Sequence, residues 1–170
     1  LRDKKINSGF VATGQVGITV TGNGIPLDAY KLDHACGAVE TAVVEQKDKD
    51  IIIVEGQGSI LHPGSTATLP LMRGTCPTHM ILCHIARNTS IRSLEKIKIP
   101  DLKKFIELNE NLASVIGTYP KAKVVGVALN TNLMSQEDAE SYIEIVKKET
   151  GIPVTDVIRF GGDRIFSQLL

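Results

Sequence analysis

The chain has 170 residues, which is enough for one domain with a substantial hydrophobic core. Its 19 basic and 19 acidic residues cancel, and a net charge of zero argues against a nucleic-acid-binding domain, which usually shows a basic excess. No apolar run approaches the roughly 18 residues of a membrane span and no charged segment precedes an apolar stretch at the start, so we expect neither a membrane partner nor a secretory signal.

Strand-like and helix-like segments alternate along the first third of the chain. Residues 9–13 (GFVAT) predict a short strand, and residues 14–24, with four glycines and no helical period, predict an ordered loop. Pro26 suits the first turn of a helix that continues to about Gln46, because its missing N–H costs nothing there. A charged turn then leads into a second strand over 51–54.

The stretch IIIVEGQGS, residues 51–59, is the most informative part of the chain. Four consecutive β-branched residues predict a strand that is apolar on both faces and buried inside a parallel sheet. The strand ends in Glu55, followed by Gly56, Gln57, Gly58 and Ser59. Open α/β sheets bind ligands at the carboxyl ends of their strands. Here glycines would let a ligand approach the backbone, and the carboxylate would hold a cation or orient a proton donor.

The remaining two thirds of the chain continue the alternation of strands and helices. The predicted elements are a short helix over 66–73, a strand over 79–84, a disorder-prone surface loop over 87–98, a helix capped by Asp101 and running to about Val115, a strand over 124–129, a helix over 135–150 with a capping signal in Ser135 and Asp138 and a stop at Gly151, a weaker strand over 153–158 and a terminal helix or tail over 163–170. This order predicts a single α/β domain with a mainly parallel sheet.

Polar residues follow four of the predicted strands. They are Thr13-Gly14-Gln15, the Glu55 to Ser59 stretch, His84, and Asn130-Thr131-Asn132. Because the carboxyl ends of parallel strands meet at one edge of a sheet, we expect these groups around one crevice. The alternative at each single end is that polar residues simply terminate strands.

The segment SILHPGST, residues 59–66, follows Glu55 closely. Ser65 and Thr66 stand where a helix is expected to begin, so their N–H groups and hydroxyls would face an anion. His62 is a candidate general acid/base or a hydrogen-bond donor to a carboxylate. The alternative is that Ser65 or Thr66 is only a helix cap and His62 only a loop residue.

Two other patterns carry no chemistry. Cys76, His79, Cys83 and His84 are zinc-ligand types, but adjacent strand residues point to opposite faces, so we expect no zinc and three reduced thiols, Cys36 included, in a cytoplasmic protein. The glycines of 14–24 do not form a phosphate-binding fingerprint, and neither G-x-x-x-x-G-K-[ST] nor G-x-S-x-G occurs.

Several of these segments together resemble the C-terminal domain of a bacterial and archaeal family long catalogued as a domain of unknown function. They are FVATGQVGI (10–18), CGAVE (36–40), VEGQGSILHPG (54–64), CH (83–84) and VVGVALNT (124–131), and the resemblance covers nearly the whole chain. It implies a P-loop NTPase fold, after a Rossmann-like N-terminal domain, and similarity to dethiobiotin synthetase. Some members are described as D-glutamate N-acetyltransferases, which would use acetyl-CoA.

The resemblance also implies roles for individual residues. Glu55 would be the Walker B carboxylate that faces Mg²⁺, and Asn130 would lie near a nucleotide base. In the leading functional hypothesis, an acyl-transfer enzyme acting on D-glutamate, His62, Ser65 and Thr66 would hold a substrate carboxylate, while Gln15 and Glu55 would orient or deprotonate the amine. In the family the phosphate loop precedes the point where this chain begins, so we expect a fragment without it that is inactive alone.

These observations lead to one set of predictions. We expect a three-layer α/β fold with P-loop NTPase-like topology, lacking its first strand and phosphate loop, in a cytoplasmic homo-oligomer that N-acetylates D-glutamate. The catalytic residues would be Glu55, Gln15 and His62. The substrate- or nucleotide-binding residues would be Thr13, Gly14, Gly17, Gly56, Gly58, Ser59, Ser65, Thr66 and Asn130. The alternatives are an ATP/Mg²⁺-dependent ligase-like enzyme and a non-catalytic nucleotide-binding regulatory module.

Overall fold

The computed structural model describes residue 1 and residues 4–169. The chain forms two compact units, Leu1–Cys76 and Pro77–Leu170. Strands and helices alternate in both units, and the long strands pair in parallel. The predicted α/β class is therefore confirmed.

The first unit contains a pair of parallel strands and three helices. Its elements are β1 (Ser8–Val11), α1 (Gln15–Thr21), α2 (Leu32–Val44), β2 (Ile51–Val54) and α3 (Thr68–Thr75). Val11 lies opposite Val54 in the parallel pairing. The hydrophobic core joins one face of the strands to α2 and α3 and consists of Val11, Ile25, Leu27, Ala35, Val39 and Leu71.

The other face of this strand pair is open. Phe10 and Ile53 alternate with the core-facing residues of their strands, and their side chains are 43% and 44% exposed. The prediction that strand 51–54 is buried on both faces is therefore wrong for the described residues. A run of β-branched residues cannot distinguish one covered face from two.

The prediction of a loop over 14–24 is wrong, because residues 15–21 form α1. Gly14 stands at its N-cap, and Gly22 ends it with a left-handed φ of 74° and an N–H bonded to the Ile18 carbonyl. The hydroxyls of Thr19 and Thr21 donate to carbonyls four residues earlier. Five β-branched residues with low helix propensity conceal this helix in the sequence.

The second unit is built on a three-stranded parallel sheet with a separate hairpin. Its strands are β3 (His79–Ile85), β4 (Ser90–Ile91), β5 (Leu94–Lys98), β6 (Lys123–Asn130) and β7 (Val154–Thr155), and its helices are α4 (Leu102–Ser114), α5 (Gln136–Thr150), α6 (Val157–Phe160) and α7 (Asp163–Phe166). The sheet order is β3-β6-β7, and β4 pairs with β5 antiparallel. The core lies between sheet and helices and consists of Leu102, Val127, Leu129, Ile143, Val146 and Val154.

The predicted helix caps in this unit are confirmed. The Asp101 carboxylate accepts from the Lys104 N–H, and the Ser135 hydroxyl accepts from the Asp138 N–H. Gly151 ends α5 in the left-handed region at φ 74°. Such local signals identify helix ends because one side chain satisfies backbone groups within the same turn.

Three other boundaries differ from prediction. The 87–98 stretch is not a disordered loop, since it holds the β4–β5 hairpin. The last strand covers only Val154–Thr155, because the next carboxylate, of Asp156, caps the amino end of α6. The terminal helix spans Asp163–Phe166, and Leu170 lies outside the described residues. Within the described residues, no helix combines the length and apolar character needed to cross a membrane.

Candidate functional site

Glu55 follows β2, and its carboxylate reaches the end of the neighbouring strand β1. Its Oε2 accepts from the backbone N–H groups of Thr13, at 2.9 Å, and Gly14, at 3.0 Å. The Thr13 hydroxyl donates to the Glu55 carbonyl at 2.9 Å, and Thr13 is fully buried. With the Glu55 N–H bond to the Val11 carbonyl at 2.9 Å, four hydrogen bonds join the two strand ends. The carboxylate fills the amino end of α1, where negative charge is stabilised.

Within the described residues, the hydrogen bonds to the Glu55 carboxylate all go to one of its two oxygens. Both amide hydrogen bonds go to Oε2, which leaves the lone pairs of Oε1 for a ligand. Gln15, the first residue of α1, follows directly and is exposed. Thr13, Gly14 and Glu55 therefore lie together in the first unit, as the sequence predicts.

Gly17 is what allows α1 to pack against this carboxylate. A Cβ at Gly17 would lie 2.3 Å from Glu55 Oε2 and 3.1 Å from Ala12 Cβ. Contacts this short are not tolerated, so any side chain at position 17 must displace the Glu55 carboxylate. The role of Gly17 here is close approach, because its φ is not left-handed.

On the expectation that Glu55 is catalytic, Gly17→Ala should reduce activity of the full-length protein by about tenfold or more, since misplacing such a group is costly. The free energy of unfolding should fall by about 1 kcal/mol through the lost hydrogen bonds to Thr13 and Gly14. Steady-state kinetics and urea titration measure the two effects. Val16→Ala, at a side chain that is 78% exposed, is the matched control. Wild-type kinetics in Gly17→Ala would show that the position of Glu55 is unimportant.

The segment after Glu55 folds onto itself through hydroxyl groups. Ser65 Oγ accepts from the Ser59 N–H at 3.2 Å and lies 3.3 Å from Thr68 Oγ1. Gly58 has φ 72°, and a Cβ there would lie 2.3 Å from Ser65 Oγ. Ser59 and Ser65 therefore shape the loop that carries His62.

The expected anion site at a helix starting near Ser65 and Thr66 is not formed. The helix α3 begins at Thr68, with Ala67 at its N-cap and no side-chain cap. The Ser65 N–H bonds to the His62 carbonyl, so Ser65 belongs to the preceding turn and does not start the helix. Thr66 is exposed on this turn.

His62 has one ring nitrogen occupied by its own loop. Nδ1 accepts from the Gly64 N–H at 3.0 Å, so the neutral ring carries its hydrogen on Nε2. An Nε2–H group donates a hydrogen bond and has no lone pair with which to accept a proton. Of the two roles left open by the sequence, the geometry favours hydrogen-bond donation to a carboxylate or oxyanion over general base catalysis.

Gln57 is a candidate that sequence reasoning passed over. Its Oε1 is buried and, within the described part of the chain, has no hydrogen-bond partner. A buried acceptor without a donor costs about 1–3 kcal/mol, so such groups call for an explanation. Gln57 lies two residues after Glu55, between Gly56 and Gly58. This position beside the strand end was the one feature of the sequence that could have identified it as a candidate.

In the second unit, Asn130 ends β6 and is exposed. Its Oδ1 accepts from the Asn132 N–H at 3.1 Å. The adjacent strand β3 ends beside it, with Ile85 opposite Asn130 and His84 opposite Leu129. The predicted meeting of the His84 and Asn130 strand ends is confirmed within this unit, whereas Glu55 belongs to the first unit.

Asp156 lies immediately after β7, and it was not identified from the sequence as a site residue. Its carboxylate accepts four hydrogen bonds. Its Oδ2 accepts from the Thr131 N–H at 3.0 Å and from the Thr131 hydroxyl at 2.5 Å. Its Oδ1 accepts from the N–H groups of Ile158 and Arg159. Burial by itself would raise the pKa of Asp156, but the hydrogen bonds from Thr131, Arg159 and Ile158 outweigh it and lower the pKa below the ordinary 3.8.

This lowered pKa predicts a pH-dependent contribution to stability. Because the unfolded chain binds the proton first as pH falls, the stabilisation from Asp156 is complete well above pH 3.8 and is lost as pH falls below it. Urea titrations of wild type and Asp156→Asn between pH 7 and pH 3 should give a stability difference that shrinks at the acid end. A difference that stays constant or widens towards pH 3 would contradict the assignment.

Cys83 and His84 occupy opposite faces of β3, since exposed and half-buried residues alternate along it. Burial lowers the pKa of His84, and the charge of Glu149 partly opposes this shift. Across residue 1 and residues 4–169, no three His, Cys, Asp or Glu side chains cluster in a way that would hold a metal ion. Among the described residues, Glu55 is therefore not part of a group of three or more such side chains.

Comparisons with known proteins show which proteins this chain is similar to. A D-glutamate N-acetyltransferase of Tritonibacter scottomollicae is 34% identical over 99% of this chain, and one of a Pseudoalteromonas species is 33% identical over the same share. These alignments cover 50% and 51% of the two relatives, so the chain spans about half of their length. A solved structure of a DUF1611 family protein from Anabaena variabilis superposes with a TM-score of 0.97 at 44% identity, covering 99% of this chain and 49% of that one.

The family model described as "Domain of unknown function (DUF1611_C) P-loop domain" matches residues 1–166. The predicted family resemblance and the P-loop type of α/β fold are thereby confirmed. The chain belongs to the DUF1611 family, as a match to its P-loop domain over almost its whole length.

Proposed function

We propose that this chain is part of an N-acyltransferase that acetylates the amino group of D-glutamate with acetyl-CoA as the donor. Two relatives at 34% and 33% identity bear the name D-glutamate N-acetyltransferase. The observation that carries the proposal in this chain is the anchored carboxylate of Glu55. One of its oxygens is bonded to Thr13 and Gly14, and the other is left for substrate.

The chemistry of amide formation requires such a group. The amine nitrogen attacks the thioester carbonyl carbon, the C–S bond breaks, and coenzyme A leaves as the thiol. The nucleophile must be a neutral amine, so the ammonium proton of D-glutamate has to pass to a base. We assign Glu55 Oε1 to this role, with Gln15 orienting the amine beside it.

The acidic substrate also needs a hydrogen-bond donor. His62 supplies Nε2–H, because Nδ1 is occupied by the Gly64 N–H. We assign this donor to a substrate carboxylate.

The test uses the full-length protein with acetyl-CoA and either D-glutamate or L-glutamate. We expect release of the coenzyme A thiol, detected with a thiol reagent, together with N-acetyl-D-glutamate in the mass spectrum. L-Glutamate is expected to react much more slowly. A folded protein that releases no thiol above the rate of acetyl-CoA hydrolysis would overturn the proposal.

A second candidate is an ATP- and Mg²⁺-dependent ligase-like enzyme. It is favoured by the P-loop description of the family and by the glycine turn between β1 and α1 that lies against Glu55. Glu55 Oε1 would then bind Mg²⁺, with phosphate oxygens and water as the other ligands. Release of ADP that depends on D-glutamate would support this candidate over the first, and nucleotide binding without turnover would indicate a regulatory module.

We further propose a cytoplasmic homo-oligomer. All three cysteines are free, which suits a reducing compartment. Light scattering of the full-length protein gives its mass in solution, and a mass equal to one chain would contradict the oligomer.

A further inference from the structure

Burying a carboxylate is costly unless its oxygens accept hydrogen bonds. The oxygens of Asp156 accept hydrogen bonds from two separate segments of the chain. Asp156 is only 4% exposed. One oxygen bonds to Thr131, directly after β6, and the other bonds to the first turn of α6, after β7. Asp156 therefore ties together the carboxyl ends of two neighbouring strands of the sheet.

Arg159 completes the attachment from the same first turn of α6. Its guanidinium donates to the carbonyls of Thr131, at 3.1 Å, and Met134, at 2.7 Å. The four-residue turn 131–134 is consequently held by its N–H, its hydroxyl and two of its carbonyls. The Asp156 carboxylate also lies 3.9 Å from Arg159 Nε, which keeps the guanidinium close to the turn.

This turn sets the orientation of the Asn130 amide. The Asn132 N–H can be met only by an oxygen, and Asn130 Oδ1 accepts from it at 3.1 Å. The Nδ2 group must then point away as a donor of two hydrogens. Asn130 is exposed at the strand end, where α/β sheets bind ligands, so it offers these hydrogens to an acceptor atom.

Exposed apolar side chains occur on the two segments that Asp156 joins. Leu133 lies within the turn and Ile158 lies on the first turn of α6, and both side chains are 91% exposed. An oriented amide donor on a turn that also exposes apolar surface suits a flat heterocycle that has acceptor nitrogens at its edge. Adenine has this chemistry, whether it belongs to coenzyme A or to a nucleotide.

We propose that Asp156 is a positioning residue, which holds the 131–134 turn so that Asn130 presents its amide hydrogens to the acyl donor. This inference rests on the proposed function, in which coenzyme A is the carrier. Asp156 does not touch the ligand, and its effect passes through Thr131 and the turn. Loss of Asp156 should therefore weaken donor binding without slowing the chemical step.

The experiment is a double-mutant cycle in the full-length protein, with coenzyme A as the probe in calorimetry and acetyl-CoA in kinetics. Asp156→Asn and Asn130→Ala should each raise the Kd for coenzyme A by about tenfold, the worth of one good hydrogen bond. The double variant should show no further loss, because both changes remove the same contact. The KM for acetyl-CoA should rise in parallel while kcat stays within about twofold.

Thr131→Val and Thr131→Ser provide a second route if Asp156→Asn folds poorly. Valine keeps the shape but removes the hydroxyl that bonds to Asp156, so the Kd should rise as in Asp156→Asn. Serine keeps the hydroxyl and should restore wild-type binding. A merely structural role would lower the melting temperature in the valine variant and leave the Kd unchanged, and that result overturns the inference.

The binding and acetylation measurements distinguish failure of this inference from failure of the proposed function. If wild type binds coenzyme A and the cycle is non-additive while D-glutamate is not acetylated, the positioning role stands and the proposed activity fails. If acetylation occurs but the losses in the cycle are additive, the positioning role fails alone. If ATP binding responds to the variants and coenzyme A binding does not, the base belongs to a nucleotide and the acyl-donor assignment is overturned. Wild type that binds neither ligand also overturns it.

Discussion

Replacing Glu55 by Gln is expected to lower kcat/KM of the full-length protein by about a hundredfold or more, the usual worth of a general base. The glutamine oxygen can take over both hydrogen bonds from Thr13 and Gly14, so the fold is preserved. Its amide nitrogen then stands where Oε1 was, and it cannot accept a proton. Activity should fall while the free energy of unfolding changes by less than about 1 kcal/mol.

Two further variants make this prediction specific. Glu55→Ala removes the hydrogen bonds as well, so it should lose both activity and about 1–3 kcal/mol of stability. Glu40→Gln, on the exposed side of α2, removes the same charge elsewhere in the unit and should behave as wild type. Unchanged turnover in Glu55→Gln would mean that Glu55 only joins the ends of β1 and β2.

Replacing Gly74 by Ala is expected to destabilise the protein by about 2–3 kcal/mol, because overfilling a close helix contact forces the backbone apart. Gly74 is buried in α3 where this helix crosses α2. A Cβ there would lie 2.4 Å from the Cys36 carbonyl oxygen and 2.6 Å from Val39 Cβ. The nearest obstacle is backbone, which cannot move aside as a flexible side chain does.

Gly37→Ala is the matched control in the same pair of helices. Gly37 lies inside α2 with nothing within 4 Å of its ideal Cβ, so alanine should stabilise the helix by about 0.5–1 kcal/mol. Urea denaturation of both variants gives the two changes directly. Equal changes in the two variants would show that glycine acts through chain entropy and not through the helix contact.

The predictions that succeeded rest on short-range signals. Asp101 and Ser135 cap their helices as expected, since each side chain bonds to a backbone group within three residues. Residues 124–129 lie inside the observed β6, the middle strand of the sheet, as a short apolar run rich in valine predicts. The position of Glu55 at a strand end, next to the end of a parallel neighbour, followed from the same reasoning.

The predictions that failed concern segments whose structure depends on distant contacts. Residues 15–21 carry poor helix formers, yet they form a helix against Glu55, some forty residues later in the chain. Residues 90–98 form a hairpin despite their polarity, with β4 and β5 paired antiparallel. The strand expected over 153–158 stops at Thr155, since Asp156 bonds to Thr131, the residue that follows β6.

The sequence by itself determined the α/β class, the helix caps and a carboxylate at the tip of a parallel strand, because each depends on residues close together in the chain. Only the tertiary structure decided how these groups are placed. It brings Glu55 Oε2 to the amides of Thr13 and Gly14, so that both hydrogen bonds go to the same carboxylate oxygen. It places the Gly64 N–H against His62 Nδ1, and it joins Asp156 to Thr131, the residue that follows the neighbouring strand. These properties arise from hydrogen bonds whose geometry depends on the folded chain, and no spacing of residue types encodes them.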